Sequence, residues 1–265
     1  MTTMNRIPSL KGRFPFSFGV TSYLYPGDIE HNLKRLGGLA DEMELILFEG
    51  RGYSNLPGPA DIRRFARIAE KVEMRFNVHL PLDVDVVASD ERMRSESLAT
   101  VARIVELTHP LDPLSYTLHV LKDEKSEDAR WKQRVRDSLS LIASPHNMFC
   151  IETLGWDLRE IADIIGEFEF SVCIDVGHLL LTGSDVAEFF RAFSGKVRVV
   201  HLHGVSEGRD HISLAHLAPG TLQMIAETLR REGYTRSLCL EVFMLQDFID
   251  SIAPLTKYFS REAGG

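Results

Sequence analysis

The 265-residue chain has only three cysteines, and no two of them stand in a CxxC pair. Cys150, Cys173 and Cys239 are spaced too widely for a thiolate zinc site or a redox motif, which excludes both. Each lies inside an apolar run and is expected as a small buried hydrophobe, and so low and odd a count fits a reducing compartment. No apolar stretch reaches the length of a membrane span, and "MTTMNRIPSLKGRFPFSF" has no signal-peptide core, so a soluble, cytoplasmic protein is expected. There is no Lys/Arg run, and a formal net charge of −8 leaves no electrostatic footprint for long nucleic acid. A GxSxG elbow, a P-loop and a GxGxxG after the first apolar run are all missing, which removes the common serine-nucleophile, nucleotide-triphosphate and dinucleotide signatures.

What the chain does have is alternation. Apolar runs at 16–23, 42–50, 74–81, 114–121, 147–154, 170–178, 196–204 and 236–243 show little internal polar period, as strands covered on both faces do. Between them lie segments of helical period, among them "DIEHNLKRLGG", which opens on a capping aspartate, and "PADIRRFARIAEKV", with Pro and Asp in its first turn. Further helices are expected at 90–107, 126–143, 157–165, 184–194, 218–232 and 245–258. Eight strands alternating with eight helices predict an α/β fold, a single (β/α)8 barrel in one domain over 1–265, with a doubly wound open sheet as the alternative.

In such a barrel the site forms where the strands end. The third run ends in His79, the fourth in His119, the fifth in Glu152 and the sixth in Asp175 followed by His178. The seventh ends in His201 and His203, the eighth in Glu241, and Asp210 and His211 follow the seventh. One such histidine alone is more often a structural residue. Six successive strand ends on one axis are different, because acids buried in "FCIETL" and "LCLEVF" cost several kcal/mol unless a cation compensates them. A mixed nitrogen and oxygen set without thiolate suits zinc, manganese, iron or cobalt. His203 is expected to orient a neighbour or touch substrate, and His216 to be a surface residue at a helix start.

The succession "NVHLP", "LHV", "CIETL", "CIDVGH", "VVHLHG", "GRDH" and "CLEVF" resembles the xylose-isomerase-like barrel superfamily of sugar isomerases, epimerases and endonuclease IV-type apurinic endonucleases. The isomerase branch implies one metal held by Glu152, Asp175, His201 and Glu241. The endonuclease branch implies up to three zinc ions, adding His79, His119, His178, Asp210 and His211, with Glu152 bridging two of them. That branch separates its loop Asp and His by one residue, whereas Asp210 and His211 are adjacent. A narrower resemblance rests on "TSYLYPGDIEHN", "ELILFEG", "SNLP", "VHLPLD", "VCIDVGHLLL" and "HLHG…DHISL", which look like the cobamide-remodelling hydrolases. It implies a small-molecule phosphodiester substrate, the nucleotide loop of a cobamide, with Arg51, Ser54 and Asn55 as substrate contacts. The plain reading of "SNLPGP" is a turn before a Pro-started helix.

Divalent cations at such a rim would lower the pKa of a bound water from ~16 to near neutral and screen a phosphodiester. A metal-dependent phosphodiesterase is therefore the first expectation. A one-metal isomerase or epimerase, using Glu152 and Glu241 to move a proton, is the second, and the extra histidines count against it. A metal-dependent corrinoid- or sugar-binding protein is the non-enzymatic alternative. An apurinic endonuclease is disfavoured by the acidic charge.

Overall fold

The runs without polar alternation become strands buried on both faces. The computed structural model describes residues 7–50, 53–122 and 128–261. Its barrel strands are β1 (Ser17–Thr21), β2 (Glu42–Ile46), β3 (Arg75–His79) and β4 (Tyr116–Leu118). They continue as β5 (Phe149–Glu152), β6 (Ser171–Asp175), β7 (Val197–Leu202) and β8 (Ser237–Leu240). All eight are parallel and close on themselves in chain order, β8 pairing with β1. Every residue of β2 and β6 is buried. The expected (β/α)8 barrel is the fold, and closure excludes the open sheet.

The described helices are α1 (Ile29–Leu36), α2 (Pro59–Val72), α3 (Glu91–Thr108), α4 (Asp128–Leu139) and α5 (Ala162–Glu167). After them come α6 (Val176–Leu181), α7 (Val186–Ala192), α8 (Pro219–Arg231) and α9 (Leu245–Phe259). Local chemistry sets their starts. Asp28 accepts from the His31 amide at 2.7 Å to cap α1, and Asp61 accepts from the Gly58 amide at 2.8 Å behind the Pro59 start of α2. Among the described residues no helix is long and apolar enough to cross a membrane.

Two expectations are corrected. The sixth run does not stay extended to 178: Asp175 ends β6 and its side chain accepts from the His178 amide at 2.7 Å, so "VGHLLL" winds into α6. His178 therefore stands in a first helical turn rather than at a strand end. The helix expected at 157–165 begins as a 3-10 turn, Leu158–Ile161, before α5.

Barrels of this kind usually fill their interior with branched aliphatic residues. Here the lower interior is polar: Asn77 donates to Glu42 at 2.6 Å and Ser115 donates to Asn77 at 2.7 Å, all three buried. Burial pushes the Glu42 carboxyl up, against the opposing hydrogen bonds from Ser17, Ser237 and Asn77. Above that layer Cys150, Cys173 and Val199 pack as a small cluster of their own. All three cysteines are free and buried, as expected of small hydrophobes.

Candidate metal centre

The parallel sheet delivers its donors to one rim. Glu152 ends β5 with both oxygens in use: Oε2 lies 2.7 Å from His119 Nε2 and 3.2 Å from His79 Nε2, and Oε1 lies 3.3 Å from His201 Nδ1. Glu241 follows β8, its Oε2 3.0 Å from His201 Nδ1 and 3.4 Å from His211 Nε2. His211 Nδ1 is 3.1 Å from Asp210, and Asp210 is 4.0 Å from His178 Nε2. His178 Nδ1 returns to Asp175 at 3.5 Å and to Glu152 at 3.7 Å. The nine residues expected as metal donors thus form one continuous chain of contacts.

Asp210 and His211 are carried by a hairpin, Gly204–Ser206 against Arg209–Ile212, that folds back over the rim. Gly204 permits it, since a Cβ there would meet the Ser213 carbonyl oxygen at 2.0 Å. His211 itself holds φ at +52°, in the left-handed region that a residue with a side chain enters at a cost. Its amide donates to His203 Nδ1 at 3.0 Å, so a neutral His203 carries its proton on Nε2, which lies 3.1 and 3.2 Å from the two Asp175 oxygens. That is an orienting geometry for Asp175, although His203 also sits close enough to join Asp175, His178 and His211 in one four-donor group. His216 is exposed in a 3-10 turn.

Three donor groups could each hold a cation: His79, Glu152 and His201; Glu152, Asp175, His201 and Glu241; and Asp175, His178, His203 and His211. The donor chemistry fits. His79 Nδ1 lies 2.8 Å from the Leu80 carbonyl, so a neutral ring donates there and turns the lone pair of Nε2 toward the Glu152 carboxylate. Two acceptors at that separation need a positive charge between them. Glu241 Oε2 has no hydrogen-bond partner although two imidazole nitrogens are near it, as for atoms aimed at a common point rather than at each other.

One buried residue of this region carries no strand-end signal. Glu44 lies in β2, fully buried, with Oε1 3.0 Å from His201 Nε2. The substrate contacts expected after β2 fare differently. Arg51 lies outside the described residues. Ser54 donates to Glu49 at 2.6 Å, and the Asn55 amide donates to Tyr23 Oη at 2.6 Å and the Ile46 carbonyl at 2.8 Å while accepting from the Phe48 amide at 2.6 Å. These bonds are those of a shaped turn, and both residues also line a cavity of about 430 Å³ with Tyr23, Asp28 and Leu56.

A family model described as a xylose isomerase-like TIM barrel matches residues 31–258. The chain belongs to that family. No curated protein matches it by sequence. Among solved structures, this xylose isomerase-like barrel is similar to the IOLI protein with a bound zinc atom, at 14% identity and a TM-score of 0.72 over 93% of this chain and 100% of that one. A D-tagatose 3-epimerase-like protein shares 18% identity at a TM-score of 0.69, covering 92% and 97%. An AP endonuclease of family 2 from Brucella melitensis shares 14% at 0.66, covering 92% and 99%. At such identities the likeness is one of fold.

Electrostatics of the barrel rim give the first prediction. Burial opposes charge on His79 and His211, but Glu152 beside the one and Glu241 beside the other outweigh it and push both imidazoles up to about 9. Burial likewise raises Glu152 and Glu241, and the imidazoles around them overcome it, holding both carboxyls well below 4.5. In metal-free protein the histidine contribution to stability is complete below 6.5 and is lost as pH rises through about 9. The carboxylate contribution is present above 4.5 and is lost as pH falls through the depressed values. Chelator-treated protein should therefore lose Tm between pH 6.5 and 9, while zinc-loaded protein holds it because cations replace the protons. Equal pH slopes in scanning calorimetry would remove cations from this centre.

Proposed function

We propose that this barrel is a metal-dependent phosphodiesterase acting on a small nucleotide-like substrate, the nucleotide loop of a cobamide. The observation that carries it is the surplus of donors. One cation is satisfied by Glu152, Asp175, His201 and Glu241, and an isomerase needs no more. His79, His119, His178, Asp210 and His211 extend the same contact chain and find a use where further cations share the rim, up to three zinc ions in all.

When bound, such cations lower the pKa of a water and screen the phosphodiester charge. The remaining work falls to the chain. Glu152 holds two histidines on one oxygen and a third on the other. Glu241 Oε2, without a hydrogen-bond partner, faces the same point as the imidazoles of His201 and His211. His203 keeps Asp175 oriented. Exposed Leu82, Leu121, Phe243 and Met244 follow within a few residues of the ends of β3, β4 and β8. They suit a substrate with broad apolar faces such as a corrin ring. Ser54 and Asn55 would meet it through the cavity they line.

The epimerase reading keeps one support, the sugar epimerases among the solved relatives, whose names include D-psicose 3-epimerase and 3-keto-D-glucoside 4-epimerase. The test puts zinc-loaded protein with an adenosylated cobamide, abasic duplex DNA and a keto sugar in parallel. A cobinamide-type product identified by mass is expected, with little nicking of DNA and no epimer. Rapid nicking that weakens steeply with salt would transfer the activity to DNA repair, against the net charge of −8. Epimerisation alone would transfer it to the isomerase branch.

A further inference from the structure

We infer that Glu44 is a positioning residue of the metal centre, fixing His201 so that Nδ1, and not Nε2, is the nitrogen offered to a cation. The inference rests on the proposal that the rim binds metal. Glu44 stands in β2 two residues before the strand ends, opposite Asn77 of β3, and is fully buried one layer beneath the rim. Its Oε1 lies 3.0 Å from His201 Nε2 and 3.5 Å from the Thr117 hydroxyl, which donates to it, while Oε2 has no partner. A carboxylate can only accept, so Nε2 must carry a proton and donate it to Glu44.

The other face of the ring looks at acids alone. His201 Nδ1 lies 3.0 Å from Glu241 Oε2 and 3.3 Å from Glu152 Oε1. A neutral ring without Glu44 is free to put its proton on Nδ1 and donate to either acid, which removes one nitrogen ligand and caps one oxygen ligand at once. With Nε2–H held from below, the Nδ1 lone pair is directed to the point that both acids face. The ring is fully buried, so it cannot correct its tautomer by turning toward water.

The experiment uses full-length wild type, Glu44→Gln and Glu44→Leu, with zinc affinity read by chelator competition and His201 read by imidazole NMR of the cadmium-loaded protein. In wild type the metal coupling should fall on Nδ1, with an exchange-protected Nε2–H. Glu44→Leu should weaken zinc binding by roughly 10–100-fold and lose that protected proton. Glu44→Gln keeps a carbonyl oxygen that accepts the same bond and should recover most of the affinity. Metal coupling on Nε2 in wild type overturns the inference even where Glu44→Leu does not fold. So does unchanged affinity in Glu44→Leu, or a Gln variant as weak as Leu with the Nε2–H still protected, which assigns Glu44 to charge balance. Absence of any zinc binding by wild type is a separate result and defeats the metal reading itself.

Discussion

Glu152→Gln should strip at least one metal equivalent from the protein and reduce turnover by more than the roughly 10–100-fold seen when a residue behind a metal ligand is changed. Its two oxygens meet the nitrogens of His119, His79 and His201 at 2.7, 3.2 and 3.3 Å. Among the described residues, Glu152 is the side chain that joins the His79–His119 pair to His201. The amide keeps the shape of the carboxylate and removes its charge, so packing is preserved and the change reads out electrostatics. A second signature needs no substrate. Glu152 is the principal group raising His79 against burial, so in chelator-treated Glu152→Gln the fall of Tm between pH 6.5 and 9 should flatten. Metal content comes from elemental analysis of protein purified without chelator, and retained fold from circular dichroism. Wild-type metal content together with wild-type turnover would leave Glu152 as a structural acid.

The barrel and most of its rim were legible in the chain because strand ends in this architecture are positions where position implies direction. A residue closing an apolar run, such as Glu152 or His201, has to face the axis or the mouth. Glu44 was not legible for the same physical reason turned around. In "EMELI" every residue is buried, whichever face it takes, so no polar alternation separates the residues facing the barrel interior from those facing the helices. A period-two reading of Glu42 and Glu44 in an apolar strand was the available signal, and it gains meaning only once the interior is known to be polar. His178 lies on a helix and not at a strand end, which composition does not show because "VCIDVGHLLL" reads as a strand throughout. The Asp175 cap is what ends the strand, and capping by a residue that is also a candidate ligand is invisible to composition. Asn55 shows what composition cannot separate: a polar residue in a rim loop that closes the loop with its own bonds and also lines a cavity.

Gly177→Ala should be strongly damaging although Gly177 offers no donor at all. A Cβ on Gly177 would stand 1.9 Å from His203 Cε1 and within 2.5 Å of both ring nitrogens, closer than any contact that relaxation by tenths of an ångström can relieve. His203 has nowhere to go. It is fully buried, Nε2 is bonded to Asp175 at 3.1 Å, Nδ1 accepts from the His211 amide at 3.0 Å, and its ring stacks on that of His211 at 4.2 Å. Moving it breaks both bonds and releases the hairpin that carries Asp210 and His211. Overpacking of this kind costs roughly 1–3 kcal/mol, which lowers Tm by several degrees. About one metal equivalent should be lost with it, that of the Asp175, His178, His203 and His211 group. Gly220→Ala in α8, where a Cβ meets nothing within 4 Å, is the control for the substitution itself and should leave Tm unchanged or slightly raised. The pair Gly177→Ala and His203→Ala completes the cycle, because shortening His203 removes the clash: the double variant should recover stability relative to Gly177→Ala but not the lost metal. A Gly177→Ala protein with wild-type Tm and metal content would mean that His203 can leave its place freely, and its role in holding Asp175 would fall with that result.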